Sequence, residues 1–230
     1  MPMIREMPIS EKPREKALRF GIRSLSSREL LAIVLRSGPK GKSVMEVADE
    51  VLEKAGGISG IARMSIPELC SVYGISEIKA LELQACFEIS RRSALEEAMR
   101  TDIIDQPEKA VKWLQKEIGS SLQEQFLVIY LDQHHRILFY RVLFVGTLNS
   151  SNVYPREIFR EALLHSCTDL MLVHNHPGSD PTPSKADLAL TVRLQKAGRM
   201  MGVKILDHLI VTSSRCLSLR ERGFLEEQME

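Results

Sequence analysis

Residues 174–187 read HNHPGSDPTPSKAD: two histidines one residue apart, a proline-rich loop, a serine and then an aspartate. In a β-strand, residues two apart point to the same face. If His174 and His176 close a strand, both imidazoles face one pocket. Ser184-Lys185-Ala186-Asp187 has the S-x-x-D form of a helix capping box. Asp187 then sits in the first helical turn, where the partly positive helix end favours an ionised carboxylate. Pro177, Pro181 and Pro183 restrict the loop and reduce the entropy lost in fixing it. Two neutral imidazoles and one carboxylate are a common ligand set for catalytic zinc, with the fourth tetrahedral position left to water. Zinc lowers the pKa of that water from about 16 towards roughly 7 and so gives a nucleophile at neutral pH. A carboxylate outside the ligand set must then take and return protons. The Ser184 hydroxyl or nearby backbone N–H groups would steady an oxyanion. Each residue also has a structural reading: a histidine at a strand end, an acid in a capping box, a serine as a helix cap. Two histidines at i and i+2, between an apolar strand and a stiff loop, favour metal over structure.

The elements around this stretch follow from the hydrophobic pattern. TDLMLVHNHP is a buried strand ending at the histidines, and SKADLALTVRLQKAGRMMG is the helix after the loop. VKILDHLIVTS is another strand. Upstream, EQFLVIYLD and RILFYRVLFVG flank the turn-like QHH and form neighbouring strands. PREIFREALLHS is a helix with Pro155 in its first turn. PEKAVKWLQKEIG is one more helix. Strands alternating with helices give an α/β domain with a mixed sheet over residues 107–230. Before residue 99 the pattern is helical throughout: SSRELLAIVLRSG with Ser26 or Ser27 as cap, SVMEVADEVLEKAGG with Ser43 as cap, then SIPELCSVYG and SEIKALELQACFEISRRSALEEAMR. Residues 1–98 are expected to be all-α, with 99–106 as a linker.

Bulk properties narrow the class. The chain has 230 residues, 44% hydrophobic and 27% charged, which suits one or two soluble globular domains. The net charge of +1 supplies no whole-molecule field towards nucleic acid or membrane. The four cysteines, Cys70, Cys86, Cys167 and Cys216, form no CxxC pair, and the N-terminal stretch has no signal-type apolar core. Reduced thiols and a cytoplasmic location are expected. No segment is apolar enough to span a bilayer. Zinc nucleobase deaminases need H-x-E and P-C-x-x-C, and neither occurs.

His174-x-His176-Pro177, six residues, Ser184, two residues and Asp187 resembles the JAMM (MPN) metalloprotease motif in every defined position. VYPREIFREAL, LVHNHPGSDPTPSKAD, LDHLIV and SLRERGF are similar to the C-terminal domain of the bacterial RadC (UPF0758) family. PREKAL, LSSRELLAIVLRSGPKGKSV and YGISEIKALEL are similar to its N-terminal domain. The resemblance spans nearly the whole chain. It implies one zinc ion on His174, His176 and Asp187, with Ser184 assisting at the transition state. It also implies a glutamate beside the first strand as general base. Glu124, just before QFLVIYLD, holds that place, with Glu157 second and Glu161 read as a solvated helix face. His208 in LDHLIV has two readings: it approaches the site if its strand lies beside the zinc strand, or, the preferred reading, it is a core histidine paired with Asp207 or a backbone carbonyl. His134 and His135 read as turn residues, and Cys167 as a buried thiol.

LCSVYGISEIKALELQACFEISRR resembles a helix-hairpin-helix, in which turn N–H groups approach a DNA phosphate. Gly74 and Ser76 frame that turn, Ser76 standing where the motif has a second glycine, and Lys79 would add a charged contact. The expected function is a zinc-dependent peptidase acting on peptide or isopeptide bonds. The rival is a DNA-binding repair or recombination factor whose α/β domain is a docking platform. A metal-dependent nuclease ranks last, since nucleases more often use two-metal carboxylate clusters.

Overall fold

The computed structural model describes residues 6–146 and 153–225. It divides into two compact units, Met1–Ser90 and Arg91–Glu230. In the first unit, every regular element among the described residues is helical: α1 (Pro13–Phe20), α2 (Ser27–Leu35), α3 (Val44–Ala55), the short α4 (Ile58–Ile61) and α5 (Ile66–Cys70), and the start of α6 (Glu77–Met99). Three of these begin with a reciprocal capping box, Ser26 with Glu29, Ser43 with Glu46 and Ser65 with Glu68. Each satisfies two backbone N–H groups that a helix start leaves without partners. Leu35, Val47, Val51, Ile61, Leu69 and Leu83 fill the core of this unit. The sequence pattern did not mark α1, which is mostly exposed and has only Pro13 buried. The division between units falls inside α6, and Ile103, in the segment read as a linker, is buried in the core of the second unit.

The second unit is built on a five-stranded sheet in the order β2-β1-β3-β4-β5. The strands are β1 (Gln125–Leu131), β2 (Ile137–Val145), β3 (Asp169–Asn175), β4 (Lys204–Val211) and β5 (Cys216–Ser218). The β3–β4 pair is parallel and the others are antiparallel, so the sheet is mixed as expected. α7 (Pro107–Leu114) and the end of α6 cover one face through Trp113, Leu114 and Ala98, packed on Leu127, Ile129 and Val173. α8 (Pro155–Leu164) and α9 (Lys185–Met201) cover the other through Phe159, Leu190 and Leu194, packed on Phe126, Val128 and Leu172. β3 is buried along its whole length because it lies inside the sheet with helices on both faces. β5, only three residues long, was not among the expected strands.

One irregularity sets the orientation of a side chain that matters below. Leu170 pairs with Ile205, yet Met171 pairs with Asp207, so β4 carries one extra residue at Leu206. A bulge of one residue reverses which face the following side chains meet. Beyond it, His208 stands level with Leu172 and faces α9. Without the bulge, Asp207 would occupy that position.

Candidate metal centre

β3 and α9 bring the three expected ligands together at the strand's C-terminal end. His174 Nε2 lies 3.1 Å from His176 Nε2 and 3.4 Å from Asp187 Oδ1, and His176 Nε2 lies 3.7 Å from Asp187 Oδ2. Tetrahedral zinc with bonds of 2.0–2.1 Å separates adjacent donors by about 3.3 Å. The two nitrogens are spaced as such an ion needs, and one donor atom from each of the three residues lies within 4.8 Å of the others; no other group of histidine, cysteine and acidic side chains among the described residues clusters so. His174 is 1% exposed and Asp187 3% exposed, so the ion would be held largely out of water.

The surrounding bonds orient the donors. His176 Nδ1 lies 3.0 Å from the carbonyl oxygen of Asp180. A carbonyl only accepts, so Nδ1 carries the proton and Nε2 of the neutral ring is bare. Asp187 is the third residue of α9, and Oδ2 accepts both the N–H of Ser184 at 2.7 Å and its hydroxyl at 2.6 Å. Burial alone would raise the Asp187 pKa. The imidazoles of His174 and His176, which favour the carboxylate when they are protonated, outweigh it and hold the carboxyl well below the usual range. The same contact works in reverse on His176, whose pKa is raised first by its hydrogen bond to Asp187, against desolvation.

His174 Nδ1 lies 2.8 Å from His208 Nε2, and His208 Nδ1 lies 2.6 Å from Thr191 Oγ1 on α9. His208 therefore approaches the site from the neighbouring strand and is buried, and the preferred expectation is corrected in its partners: the ring is bonded to neither Asp207 nor a carbonyl. Asp207 accepts the backbone N–H of His208 at 2.6 Å, together with the Ser218 hydroxyl and the N–H of Arg220, and has no bond to the His208 ring, which is fully buried against His174. The bulge at Leu206 is the physical reason, since it turns His208 onto the α9 face.

Asn175, the residue between the histidines, points away from them and is 0% exposed. Its Oδ1 accepts the N–H of Gln125 at 2.7 Å, and its Nδ2 donates to the carbonyls of Gln123 and Ser121 at 3.1 and 3.4 Å. These bonds pin the backbone on both sides of Glu124. Phe126 pairs with His174 across the β1–β3 ladder. Continuing that register by two residues brings Glu124 level with His176. The Glu124 carboxylate adds to the upward shift of His176, after the stronger effect of Asp187. Glu157 lies exposed in the first turn of α8. Glu161, read as a solvated helix face, instead pairs with Arg141 at 2.9 Å and is 16% exposed. Cys167 is buried, which pushes its thiol up to about 11.

The residues expected to meet DNA lie in the helical unit. Gly74 has a φ of +103°, and a Cβ there would come within 2.6 Å of Pro39, so the turn requires glycine. Ser76 Oγ accepts the N–H of Lys79 at 3.4 Å near the start of α6. The Lys79 ammonium donates to the carbonyls of Ser37 and Gly74, at 2.5 and 3.0 Å. Desolvation by burial and then the neighbouring Arg36 lower its pKa.

Two family models match the chain. A model described as RadC-like JAB domain matches residues 104–224, and one described as UPF0758 N-terminal matches residues 4–81. A UPF0758 protein of Bacillus velezensis is 40% identical over 222 residues, covering 96% of this chain and 96% of that protein. A UPF0758 protein of Clostridium perfringens is likewise 40% identical, over 96% of this chain and 97% of its own. One from Halalkalibacterium halodurans is 39% identical over 96% of both. With matches that run almost end to end, and a JAB domain model over the part that carries His174, His176 and Asp187, this chain belongs to the RadC (UPF0758) family.

Proposed function

We propose that the protein is a zinc-dependent hydrolase that cleaves peptide or isopeptide bonds. The observation that carries this reading is the buried convergence of two imidazole nitrogens and one carboxylate at 3.1–3.7 Å. His174, His176 and Asp187 would hold the metal. When bound, zinc supplies Lewis acidity and a water acidic enough to attack an amide near neutral pH. Glu124, beside His176 and outside the ligand set, accepts a proton from the attacking water and returns it to the leaving amine. Ser184 holds Asp187 in place through its hydroxyl and N–H. Support of an oxyanion by the same hydroxyl competes with that bond, because a hydroxyl has one proton to give.

The test is to purify the protein, measure bound metal, and substitute His174→Ala and Asp187→Ala singly. About one zinc per chain in the unmodified protein, falling sharply in both variants, supports the reading. Unchanged stoichiometric zinc in both variants ends it. Glu124→Gln should keep zinc and lose hydrolysis of peptide and isopeptide substrates. A DNA-binding role for the helical unit gains no support from Lys79, whose ammonium is bonded to two backbone carbonyls of its own unit.

A further inference from the structure

The chain of contacts behind His174 runs through four groups. Thr191 Oγ1 lies 2.7 Å from the carbonyl oxygen of Asp187, one turn earlier on α9. It also lies 2.6 Å from His208 Nδ1, whose Nε2 is 2.8 Å from His174 Nδ1. Thr191 is 1% exposed and His208 0% exposed, so no solvent substitutes for any of these partners.

The direction of each bond follows from what each atom is able to do. The Asp187 carbonyl accepts and never donates, so the Thr191 hydroxyl gives its proton there. Its oxygen is then an acceptor for His208, and His208 must carry its proton on Nδ1. Both ring bonds of His208 go to uncharged partners in a fully buried place, which suits a ring with one proton only. Nε2 of His208 is therefore a lone pair, and it accepts from His174. His174 in turn carries a proton on Nδ1, so in its neutral ring Nε2, directed at His176 and Asp187, is the lone pair.

We propose that Thr191, acting through His208, fixes the tautomer of His174 and so presents its Nε2 lone pair to the metal position. Thr191 is a positioning residue two side chains removed from the ion. This inference rests on the metal-centre reading of His174, His176 and Asp187. It joins the ligands in one circuit, because the backbone of Asp187 anchors the bonds that orient His174.

The test compares the unmodified protein with Thr191→Val and Thr191→Ser by competition for zinc against a chromophoric chelator. Valine keeps the shape and removes the hydroxyl. Serine restores the hydroxyl. Thr191→Val should bind zinc about 10- to 100-fold more weakly, the usual size for losing an outer partner of a ligand. Thr191→Ser should bind within a few-fold of the unmodified protein. Undiminished binding by a folded Thr191→Val would overturn the relay while leaving the metal centre intact. No zinc binding by the unmodified protein would instead remove the metal centre, and the relay with it. Should Thr191→Val not fold, the unmodified zinc-loaded protein still decides the matter. Two-bond ¹H–¹⁵N correlations of its histidine rings should show His208 protonated on Nδ1 and bare on Nε2, and the reverse pattern would sink the proposal.

Discussion

Asn175 Oδ1 accepts the backbone N–H of Gln125 at 2.7 Å, so the residue between the two histidines ties the end of β3 to the start of β1. Its amide also donates to the carbonyls of Gln123 and Ser121. Asn175→Ala would remove the partner of the Gln125 N–H and both amide bonds, leaving the Gln123 carbonyl only the Ser121 hydroxyl, at a cost of about 1–3 kcal/mol. Chemical denaturation should show a lower midpoint with an unchanged slope. Zinc stoichiometry should hold, since Asn175 faces away from the ligands. A midpoint equal to that of the unmodified protein would mean that water replaces the amide at no cost.

What could be read from the sequence, and what could not, divides along the same line. His174, His176 and Asp187 were legible because their relation is local: strand alternation, a stiff loop and a capping box within fourteen residues. Asn175 carried no local signal, because its partners lie at residues 121–125, about fifty positions earlier. The site-facing role of His208 ranked second for a different reason. Simple alternation along β4 does not predict its face, and the bulge at Leu206 that sets it is a property of strand pairing. Thr191 has no local signal at all, being one of many helix positions until His208 is placed against it. The mixed sheet between helices followed from the order of periodic segments, whereas the three-residue β5 was too short to show a period.

The position of Ser184 separates two roles that the sequence alone merges. Its oxygen accepts the N–H of Asp187 at 3.2 Å, and its hydroxyl donates to Asp187 Oδ2 at 2.6 Å. Ser184→Ala should cost about 1 kcal/mol as a lost helix cap. It should also weaken zinc binding several-fold by freeing Asp187, which a chelator competition would read. Ser184→Asp restores a capping acceptor but sets a second carboxylate against Asp187, so it should recover less zinc affinity than stability. Equal recovery of both would count against the Asp187-orienting role.

A cluster remote from the metal position provides a control for these variants. Glu117 accepts from Trp113 Nε1 at 3.1 Å and from the Tyr140 hydroxyl at 3.0 Å, and it pairs with Arg91. Its side chain is 14% exposed. Glu117→Ala removes the acceptor for all three donors and leaves the Arg91 charge without this partner. The expected loss is about 2–4 kcal/mol of stability. Zinc affinity of the folded variant should not change. Parallel loss of zinc below the unfolding range would show that the centre responds to global stability, and it would weaken any argument drawn from small affinity losses elsewhere.

Protons and zinc should compete at His176. Its pKa is raised in the metal-free protein, chiefly by the hydrogen bond to Asp187. The His176–Asp187 contact therefore contributes its full stability below the ordinary histidine pKa of about 6.5, and loses it as pH rises through the raised value. Zinc takes Nε2 only from the neutral ring, so its apparent affinity moves the opposite way, falling about tenfold per pH unit below that value for one displaced proton. Asp187, held well below the usual carboxyl range, stays ionised throughout and adds no proton to the competition. Thermal unfolding with excess zinc, and separately with a chelator, should thus diverge as pH is raised from about 5 to about 8. The difference in Tm should be small at the acid end and largest at the alkaline end. A zinc-dependent shift of constant size across that range would mean that the ion binds without displacing a histidine proton, and His176 would lose its place among the ligands.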